Sequence, residues 1–273
     1  MHDHIAAAEE ILDKEYKVLD KGFLRLIDYM GSDDRIVSAA RVSYRDCKTM
    51  RNNAGLIDYL IRNEHTSPLE QVVFTFHVKA PIFVARQWMR HRTSRINEVS
   101  GRYSVMREEF YNPLKCDVKK QAATNKQGRG DEDIDANVVE ALLKDLDESY
   151  KHSYNIYKNM IDSDVSREIA RIGLPLSLYT EWYWQIDLNN LFRFVKLRIS
   201  SHAQKEIRDY VNVILGIVEL VVPLATSSFR KHILEGVILS REEVAALREA
   251  LDLSRLNLSG SELKRFKIKL NLS

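Results

Sequence analysis

The spacing of apolar residues predicts two strands in the first third of the chain. Residues 23–30 are mostly apolar and are followed by a Gly-Ser pair, which indicates a strand that stops there. Residues 72–79, VVFTFHVK, carry an apolar side chain at every second position, which is typical of a strand with one packed face. That face would consist of Val72, Phe74, Phe76 and Val78.

Helical spacing predicts several short helices around these strands. Residues 1–15 predict a helical leader. Asp33 is placed as the N-cap of a helix that runs through Ala40, and residues 56–62 predict another helix. Pro81 predicts the start of a further helix, because a proline in the first turn loses no hydrogen bond. That helix brings an Arg-His-Arg run to its C-terminal end.

The C-terminal half is predicted to be mostly helical. Apolar spacing predicts helices over residues 138–160, 165–172, 178–187 and 191–225, the last with a break near Pro223. Ser240 and Glu243 have the spacing of a capping box, which predicts the start of a final helix. The polar residues 117–137 contain Gly128 and Gly130 and predict a surface loop.

Together these elements predict an α+β fold, in which a small antiparallel or mixed sheet packs against a helical bundle. The chain has 273 residues, 45% of them hydrophobic, which is enough for one sizeable core. We divide it into a helical leader (1–15), a main domain (16–235) and a C-terminal helical tail (236–273).

Composition narrows the choice of partners. Charged residues make up 29% of the chain, but the formal net charge is only +2, which does not indicate nucleic acid or a membrane as a partner. The most apolar stretch, residues 211–225, contains Asn212, Glu219 and Pro223 and is shorter than the roughly 20 apolar residues of a spanning helix. We therefore interpret it as a buried helix.

Cysteine content and the N-terminal residues favour a cytoplasmic protein. Cys47 and Cys116 are too few for a disulfide framework, and no CxxC pair indicates zinc, so no metal site is expected. The N-terminal residues are acidic and amphipathic, which does not resemble a signal peptide.

Arginine is concentrated in residues 86–107. This segment holds six arginines, one histidine, no lysine and a single acid, Glu98. Arginine without lysine favours planar, bidentate recognition of phosphates over a diffuse positive field. The amide of Gln87 and the hydroxyl of Ser100 add donors and acceptors, as a site that recognises a base as well as a phosphate requires.

Two other interpretations of this segment remain to be weighed. A solvated basic face needs no ligand, because surface charge costs little. A nucleic-acid-binding module would stack bases on Trp88 and Tyr103. That module predicts more lysine and a basic chain overall, and the sequence has neither.

Residues 90–103 carry the most specific pattern in the chain. They read RHRTSRINEVSGRY, which resembles the signature RHRxxSxNExSxRY of the flavin-dependent thymidylate synthases. The one departure is Arg95, where the family has serine. Three more segments resemble elements of that family in the same order: 65–70 (HTSPLE), 168–175 (EIARIGLP) and 197–208 (LRISSHAQKEIR). The resemblance covers roughly residues 16–230.

The resemblance implies a methyltransferase that converts dUMP to dTMP. It implies 5,10-methylenetetrahydrofolate as the carbon donor, FAD as the cofactor and NADPH as the reductant of FAD. It also implies a homotetramer with shared active sites and a reaction without a cysteine nucleophile. The alternative is a catalytically inactive relative that still binds flavin and nucleotide. Arg95 and Arg193 would fit that alternative, whereas Arg102 and Arg198 argue against it.

The same resemblance implies a role for individual residues. Arg198 is the expected catalytic residue, because a guanidinium beside the uracil stabilises negative charge on the ring. The expected dUMP-binding residues are Gln87, Trp88, Met89, Arg90, Glu98, Val99, Ser100, Gly101, Arg102, Arg171 and Arg198. The expected FAD-binding residues are Ser43, His65, Ser67, Glu70, Arg90, His91, Arg92, Glu98, Asp187, Asn189, Arg193 and His202.

Three of these residues have structural alternatives. Arg171 is spaced to form an ion pair with Glu168, three positions earlier. Arg198 could be an ordinary helix-surface arginine, and His65 could be a capping or turn histidine. Ser100 is not expected to be a nucleophile, because no GxSxG elbow surrounds it.

The resemblance to the family, and with it the assignment of site residues, is weakest over residues 187–193. Many relatives have asparagine, arginine and then asparagine or histidine where this chain has Asp187, Asn189 and Arg193. Flavin contacts there would be made by different groups, and Asn190 is one substitute.

Overall fold

A five-stranded antiparallel sheet lies at the centre of the protein in the computed structural model, which describes residues 4–42, 52–123, 127–258 and 260–272. The strands are β1 (Tyr16–Val18), β2 (Gly22–Met30), β3 (Val73–Pro81), β4 (Arg95–Glu98), β5 (Lys119–Gln121), β6 (Arg129–Asp133) and β7 (Tyr179–Asp187). The central sheet has the order β1-β2-β3-β7-β4, and β5 pairs with β6 in a separate hairpin.

Helices surround this sheet and confirm the predicted α+β class. They are α1 (Ala6–Glu9), α2 (Asp33–Arg41), α3 (Asn53–Arg62), α4 (Ile82–Trp88), α5 (Ala136–Asp162), α6 (Arg167–Ala170), α7 (Leu188–Arg198), α8 (Lys205–Val221), α9 (Pro223–Phe229), α10 (Arg241–Ala250) and α11 (Gly260–Lys269). Short 3-10 turns lie at Leu69–Gln71, Lys115–Asp117, Arg171–Gly173 and Leu253–Arg255, and a π-helical turn at Arg230–Leu234. No helix in the described ranges is long and apolar enough to span a membrane.

The core lies between one face of the sheet and helices α4, α7 and α8. The predicted packed face of β3 is buried as expected, and its Phe76 ring lies 5.9 Å from the Trp184 ring of β7. From α8, the hydroxyl of Tyr210 donates a hydrogen bond of 2.6 Å to the Lys79 carbonyl oxygen. This contact fixes α8 to the strand that leads into α4.

Residues 178–187 form a strand, so the predicted helix there is wrong. In β7, Trp182, Trp184 and Ile186 are buried while Tyr183 between them is exposed, which is the period of two of an extended chain. β7 pairs with β3 along its whole length and with β4 on its other side. Aromatic side chains suit such a central strand, and this tertiary pairing overrides any helical spacing.

The polar residues 117–137 contain a hairpin, so the predicted irregular loop is also wrong in part. β5 and β6 pair with each other, and Lys120 forms an ion pair of 2.9 Å with Glu132 across the two strands. Arg129 reaches out of the hairpin to Glu206 near the start of α8. A charged side chain therefore attaches the hairpin to α8.

Asp33 does not cap its own helix as predicted. Ser32 occupies the N-cap position of α2. The Asp33 carboxylate instead accepts hydrogen bonds of 2.8 and 3.0 Å from the backbone N–H groups of Leu224 and Ala225, in the first turn of α9. Burial of this carboxylate raises its pKa above the usual value. Asp33 thus caps a helix that is distant in sequence.

Several helix boundaries differ from the predicted ones. Within the predicted leader, α1 covers only Ala6–Glu9. The predicted helix 165–172 is a single α-turn, α6, followed by a 3-10 turn. The predicted helix 191–225 is interrupted between α7 and α8 as well as before Pro223. The capping box is confirmed, because Ser240 and Glu243 bond reciprocally at the start of α10.

Candidate active site

The end of α4 places the Arg-His-Arg run at the surface above the core. Trp88, the last residue of α4, is 0% exposed and packs edge-on against Trp182 and Trp184. The N–H of His91 then donates a hydrogen bond of 3.0 Å to the Trp88 carbonyl oxygen. A buried indole thus anchors the helix end, and the following residues project from a fixed point.

The Trp88 side chain is therefore a core residue. Its ring also packs on Phe194 and Tyr210, with ring centroids 4.8 and 5.8 Å away. The buried side chain leaves only the backbone of Trp88 for the predicted contact with dUMP, which stays a prediction.

Arg198, at the last position of α7, is held against the end of α4. Its Nε donates to Nε2 of His91 at 3.1 Å, and its Nη2 donates to the Gln87 carbonyl oxygen at 3.2 Å. The guanidinium is half-buried. The alternative of a free helix-surface arginine is thus not what the structure shows.

His91 acts as the acceptor in this pair. Burial, with the nearby Arg198 charge, lowers the pKa of His91 from 6.5 to about 4. Burial also lowers the pKa of Arg198, but a guanidinium stays protonated at neutral pH. The imidazole is therefore neutral at pH 7 and carries its proton on Nδ1, because Nε2 accepts from the arginine.

The Gln87 side chain links the pair to the start of α8. Its Nε2 donates to Oε1 of Gln204, which is the N-cap residue of α8. Gln204 lies in the 197–208 segment, which resembles a family element, but it was not among the predicted site residues. The contact between Gln204 and Gln87 could not be predicted from spacing, because an irregular turn separates Gln204 from Arg198 at the end of α7.

A tight turn follows β4 and presents Ser100, Gly101 and Arg102. The N–H groups of Tyr103 and Ser104 donate to the Ser100 carbonyl oxygen at 3.0 and 3.1 Å. The Ser100 hydroxyl oxygen accepts from the N–H of Arg102 at 3.3 Å. Among the described residues, no histidine forms a hydrogen bond with this hydroxyl.

Gly101 brings this turn against Arg171. A Cβ at Gly101 would lie 3.2 Å from Cδ of Arg171 and 3.1 Å from Sδ of Met106. Glu168 pairs with Arg102 at 3.3 Å, so the predicted alternative of a Glu168–Arg171 ion pair is not observed. Within the described part of the chain, the Arg171 guanidinium has no hydrogen bond or ion pair.

Glu98 and Val99 lie at the exposed edge of the sheet. The Glu98 carboxylate accepts a hydrogen bond of 2.7 Å from the Thr180 hydroxyl, and the N–H of Val99 donates to the Glu181 carbonyl oxygen at 2.9 Å. These contacts fix β4 to β7. Met89 is partly buried against the core, so of these three predicted residues only Glu98 offers a charged group at the surface.

A cavity of about 510 Å³ lies beside α7, and we call it the flavin-side cavity. Its volume falls in the range typical of small-molecule sites. Asn189 and Arg193, two of the predicted FAD-binding residues, line it together with Thr66 from the 65–70 segment. Lys196 and Glu64 also line it and were not predicted.

Three hydrogen bonds hold the wall of this cavity in place. Asp187 caps α7 by accepting from the N–H and the side-chain Nδ2 of Asn190, at 3.0 and 2.7 Å. Asn189 donates to Glu70 at 3.4 Å and so connects α7 with the 65–70 segment. Both oxygens of Asp187 accept hydrogen bonds within the chain, whereas the polar side chains of Asn189 and Arg193 line the cavity.

The remaining predicted residues lie at the surface or outside the described chain. His65 is exposed, and its N–H donates to the Leu60 carbonyl oxygen in the turn after α3. Ser67 is exposed in the same segment, and His202 is exposed in the turn between α7 and α8. Ser43 and Cys47 lie outside the described residues, and Cys116 is an exposed free thiol.

The basic residues of the motif remain available for ligands. Arg90, Arg92 and Arg193 are exposed, and none of them has a hydrogen bond or ion pair with another described residue. Arg193 also lines the flavin-side cavity. Exposed guanidiniums without a carboxylate partner suit a ligand with several negative charges.

Comparison with known proteins agrees with this chemistry. A family model described as thymidylate synthase complementing protein matches residues 25–224. The chain is 55% identical over 260 residues to the flavin-dependent thymidylate synthase of Treponema denticola, covering 95% of this chain and 98% of that relative. It is 54% identical over 269 residues to the enzyme of the same name from Borreliella burgdorferi, covering 96% and 100%.

A solved structure is similar over most of the chain. The crystal structure of a UMP/dUMP methylase from Streptomyces cacaoi, bound with 5-bromo-UMP, superposes with a TM-score of 0.71 at 29% identity. The match covers 80% of this chain and 97% of that one.

Proposed function

The chain belongs to the family of flavin-dependent thymidylate synthases, and from that premise we propose that it methylates dUMP to dTMP. The carbon comes from 5,10-methylenetetrahydrofolate and the reducing equivalents from NADPH, with FAD as the cofactor. The observation that carries the proposal is the half-buried Arg198, held by neutral His91 beside the unpaired arginines of the motif.

The residues present fit a flavin dinucleotide. Arg193 lines the flavin-side cavity, and Arg90 and Arg92 have no carboxylate partner among the described residues. A pyrophosphate would be held by such forks through paired hydrogen bonds. When bound, FAD supplies the hydride that completes the methyl group.

The turn at Ser100 is suited to the phosphate of dUMP. It combines a hydroxyl, backbone N–H groups and the guanidinium of Arg102, with Arg171 against Gly101. The Arg102–Glu168 pair is exposed, and an exposed pair contributes only about 0–1 kcal/mol. A phosphate therefore displaces Glu168 at little cost.

Arg198 is suited to activate the uracil. Its position is fixed by His91 and the Gln87 carbonyl before any ligand arrives, so no reorganisation is needed when charge develops on the ring. Its partial burial strengthens that interaction relative to water. The neutral His91 leaves the full positive charge of Arg198 available, which a carboxylate in that position would cancel.

We propose that the active protein is a cytoplasmic homotetramer with sites shared between subunits. Large apolar side chains are exposed around the site, among them Tyr103 at 80% and Ile172 at 74%. Exposed apolar side chains of this size next to the site suit contact with another subunit. A subunit packed there would also close the open side of the arginine cluster.

The experiment that tests the function follows NADPH oxidation by the purified, FAD-supplemented protein with and without dUMP, and then measures dTMP after the folate is added. We expect dUMP to stimulate oxidation and dTMP to form only when the folate is present. A yellow protein that binds dUMP but makes no dTMP would instead be the inactive relative. Sedimentation of the same preparation tests the tetramer.

A further inference from the structure

A second cavity lies against the flavin-side cavity, and we call it the basic cavity. It has a volume of about 480 Å³ and shares Glu64, Lys196 and Ile233 with the flavin-side cavity. Its remaining ionisable lining comes from Arg62, His232 and Lys269. Because the two cavities have a common wall, one elongated ligand can occupy both.

Two lysines of the basic cavity have no carboxylate partner among the described residues. Asp58 accepts from Arg62 at 2.8 Å and lies 2.6 Å from Nε2 of His232, so a single carboxylate engages both groups. Burial opposes ionisation of Asp58, yet the hydrogen bond from His232 and the surrounding positive charges lower its pKa. Lys196 and Lys269 have no ion pair with any described residue.

Glu64 is the one acid among the described residues that line this cavity, and its backbone has a positive φ. It follows α3 with a φ of +57°, a conformation that favours glycine and costs other residues roughly 1–2 kcal/mol. This conformation is the left-handed C-terminal cap of α3, in which the N–H of Glu64 donates to the Ile61 carbonyl oxygen at 3.2 Å. Glu64 lines both cavities, and its negative charge opposes the binding of an anion beside it.

We propose that the basic cavity binds the carboxylates of the glutamyl end of the folate co-substrate. This inference rests on the proposed function. Two adjoining cavities of this kind suit an elongated ligand. Its uncharged reacting end would lie beside the flavin, and its charged end would lie in the basic cavity. A folate has that form, since its pterin is neutral and each added glutamyl residue adds a carboxylate. Val237 and Ile238, exposed at the cavity, offer apolar contact to the linker between the two ends.

Lys269→Gln is the diagnostic variant, because Lys269 lines the basic cavity and not the flavin-side cavity. We expect KM for the pentaglutamyl folate to rise about tenfold, equivalent to about 1.4 kcal/mol, while KM for the monoglutamyl folate changes less than about threefold. Lys264→Gln is the matched control, since Lys264 is exposed on the same helix outside the cavity lining. Calorimetric titration of each folate in the absence of NADPH gives the same comparison without turnover.

Glu64→Gln tests the proposal in the opposite direction. Removal of the one acid should lower KM for the pentaglutamyl folate, a gain that misfolding cannot produce. Equal folate preference in wild type, Lys269→Gln and Glu64→Gln would overturn the proposal. A rise in KM for NADPH but not for NADH in the Lys269→Gln protein would also overturn the proposal, because the basic cavity would then hold the 2′-phosphate of the reductant.

The two hypotheses fail in different ways. NADPH oxidation stimulated by dUMP needs no folate, so its absence in the wild-type protein would contradict the proposed function. Its presence together with unaltered folate affinities in the Lys269→Gln protein would contradict only the assignment of the basic cavity.

Discussion

At the scale of single residues, the partner of Arg198 decides what its charge can do. A guanidinium next to a carboxylate would be largely neutralised, but here its partners are an imidazole nitrogen and a carbonyl oxygen. Both are neutral acceptors that orient the side chain and leave its charge for a ligand. A charged group stabilises a transition state best when it is held in position and its charge is not neutralised by a partner.

Arg198→Ala should lower the rate of dTMP formation by about 10²–10³-fold, because it removes a preorganised charge at the reacting ring. FAD should remain bound, since Arg198 does not line the flavin-side cavity. The rate is measured by single-turnover formation of dTMP, and the flavin by absorbance after gel filtration. Arg248→Ala, an exposed arginine on α10, is the control. Unchanged turnover in the Arg198 variant would remove this residue from the mechanism.

The His91 titration should appear in the pH dependence of stability. The folded pKa of about 4 lies below the unfolded value of 6.5, so between these values the unfolded chain binds a proton that the folded chain does not. Stability due to His91 is therefore complete above 6.5 and is lost as pH falls toward 4. His91→Gln keeps an acceptor but does not titrate. Its Tm should fall less than that of wild type over this interval, and parallel curves would contradict the assignment.

Gly101→Ala should weaken dUMP binding through Arg171. The added Cβ would press on Cδ of Arg171 and Sδ of Met106, which are flexible and can move at a cost of about 1 kcal/mol. We expect KM for dUMP to rise about tenfold with little change in Tm, since small displacements of a binding group weaken binding strongly. Gly173→Ala is the matched control, because nothing lies within 4 Å of the Cβ there. Equal KM values for dUMP in the two variants would contradict this prediction.

At the scale of elements, the attachment of the β5–β6 hairpin depends on one buried ion pair. Glu206 is 2% exposed and accepts from the Tyr111 hydroxyl at 3.0 Å as well as from Arg129. Although burial opposes it, the hydrogen bond from Arg129 lowers the pKa of Glu206. Because Glu206 follows Gln204 by two residues, the hairpin is docked next to the contact that reaches Gln87 and Arg198.

Arg129→Met should destabilise the protein by about 3–5 kcal/mol, because it leaves the Glu206 charge buried without a cation. Adding Glu206→Gln to this variant should restore part of the loss. Lys120→Met in the same hairpin removes only the exposed pair with Glu132, and its effect should stay below about 1 kcal/mol. Urea unfolding measures all three. Similar losses for the Arg129 and Lys120 variants would show that the hairpin contributes nothing through Glu206.

At the scale of the whole molecule, segments with a strong local pattern could be predicted and others could not. The alternation in β3, the length of α5 and the capping box at Ser240 follow from local geometry and were predicted. β7 could not be predicted, because its strand conformation depends on pairing with β3 and β4, far away in sequence. The hairpin likewise depends on a carboxylate about 77 residues beyond Arg129.

The sequence by itself determined the family and the chemistry of the site, because the motif residues are contiguous and their residue types imply phosphate and flavin ligands. Only the tertiary structure decided which of them are buried in the core and which line a cavity. Trp88 belongs to the core, Asp187 caps a helix, and Lys196 and Lys269 line cavities that no motif marks. The physical reason is that burial, charge compensation and cavity shape arise from contacts between distant segments, which local spacing does not encode.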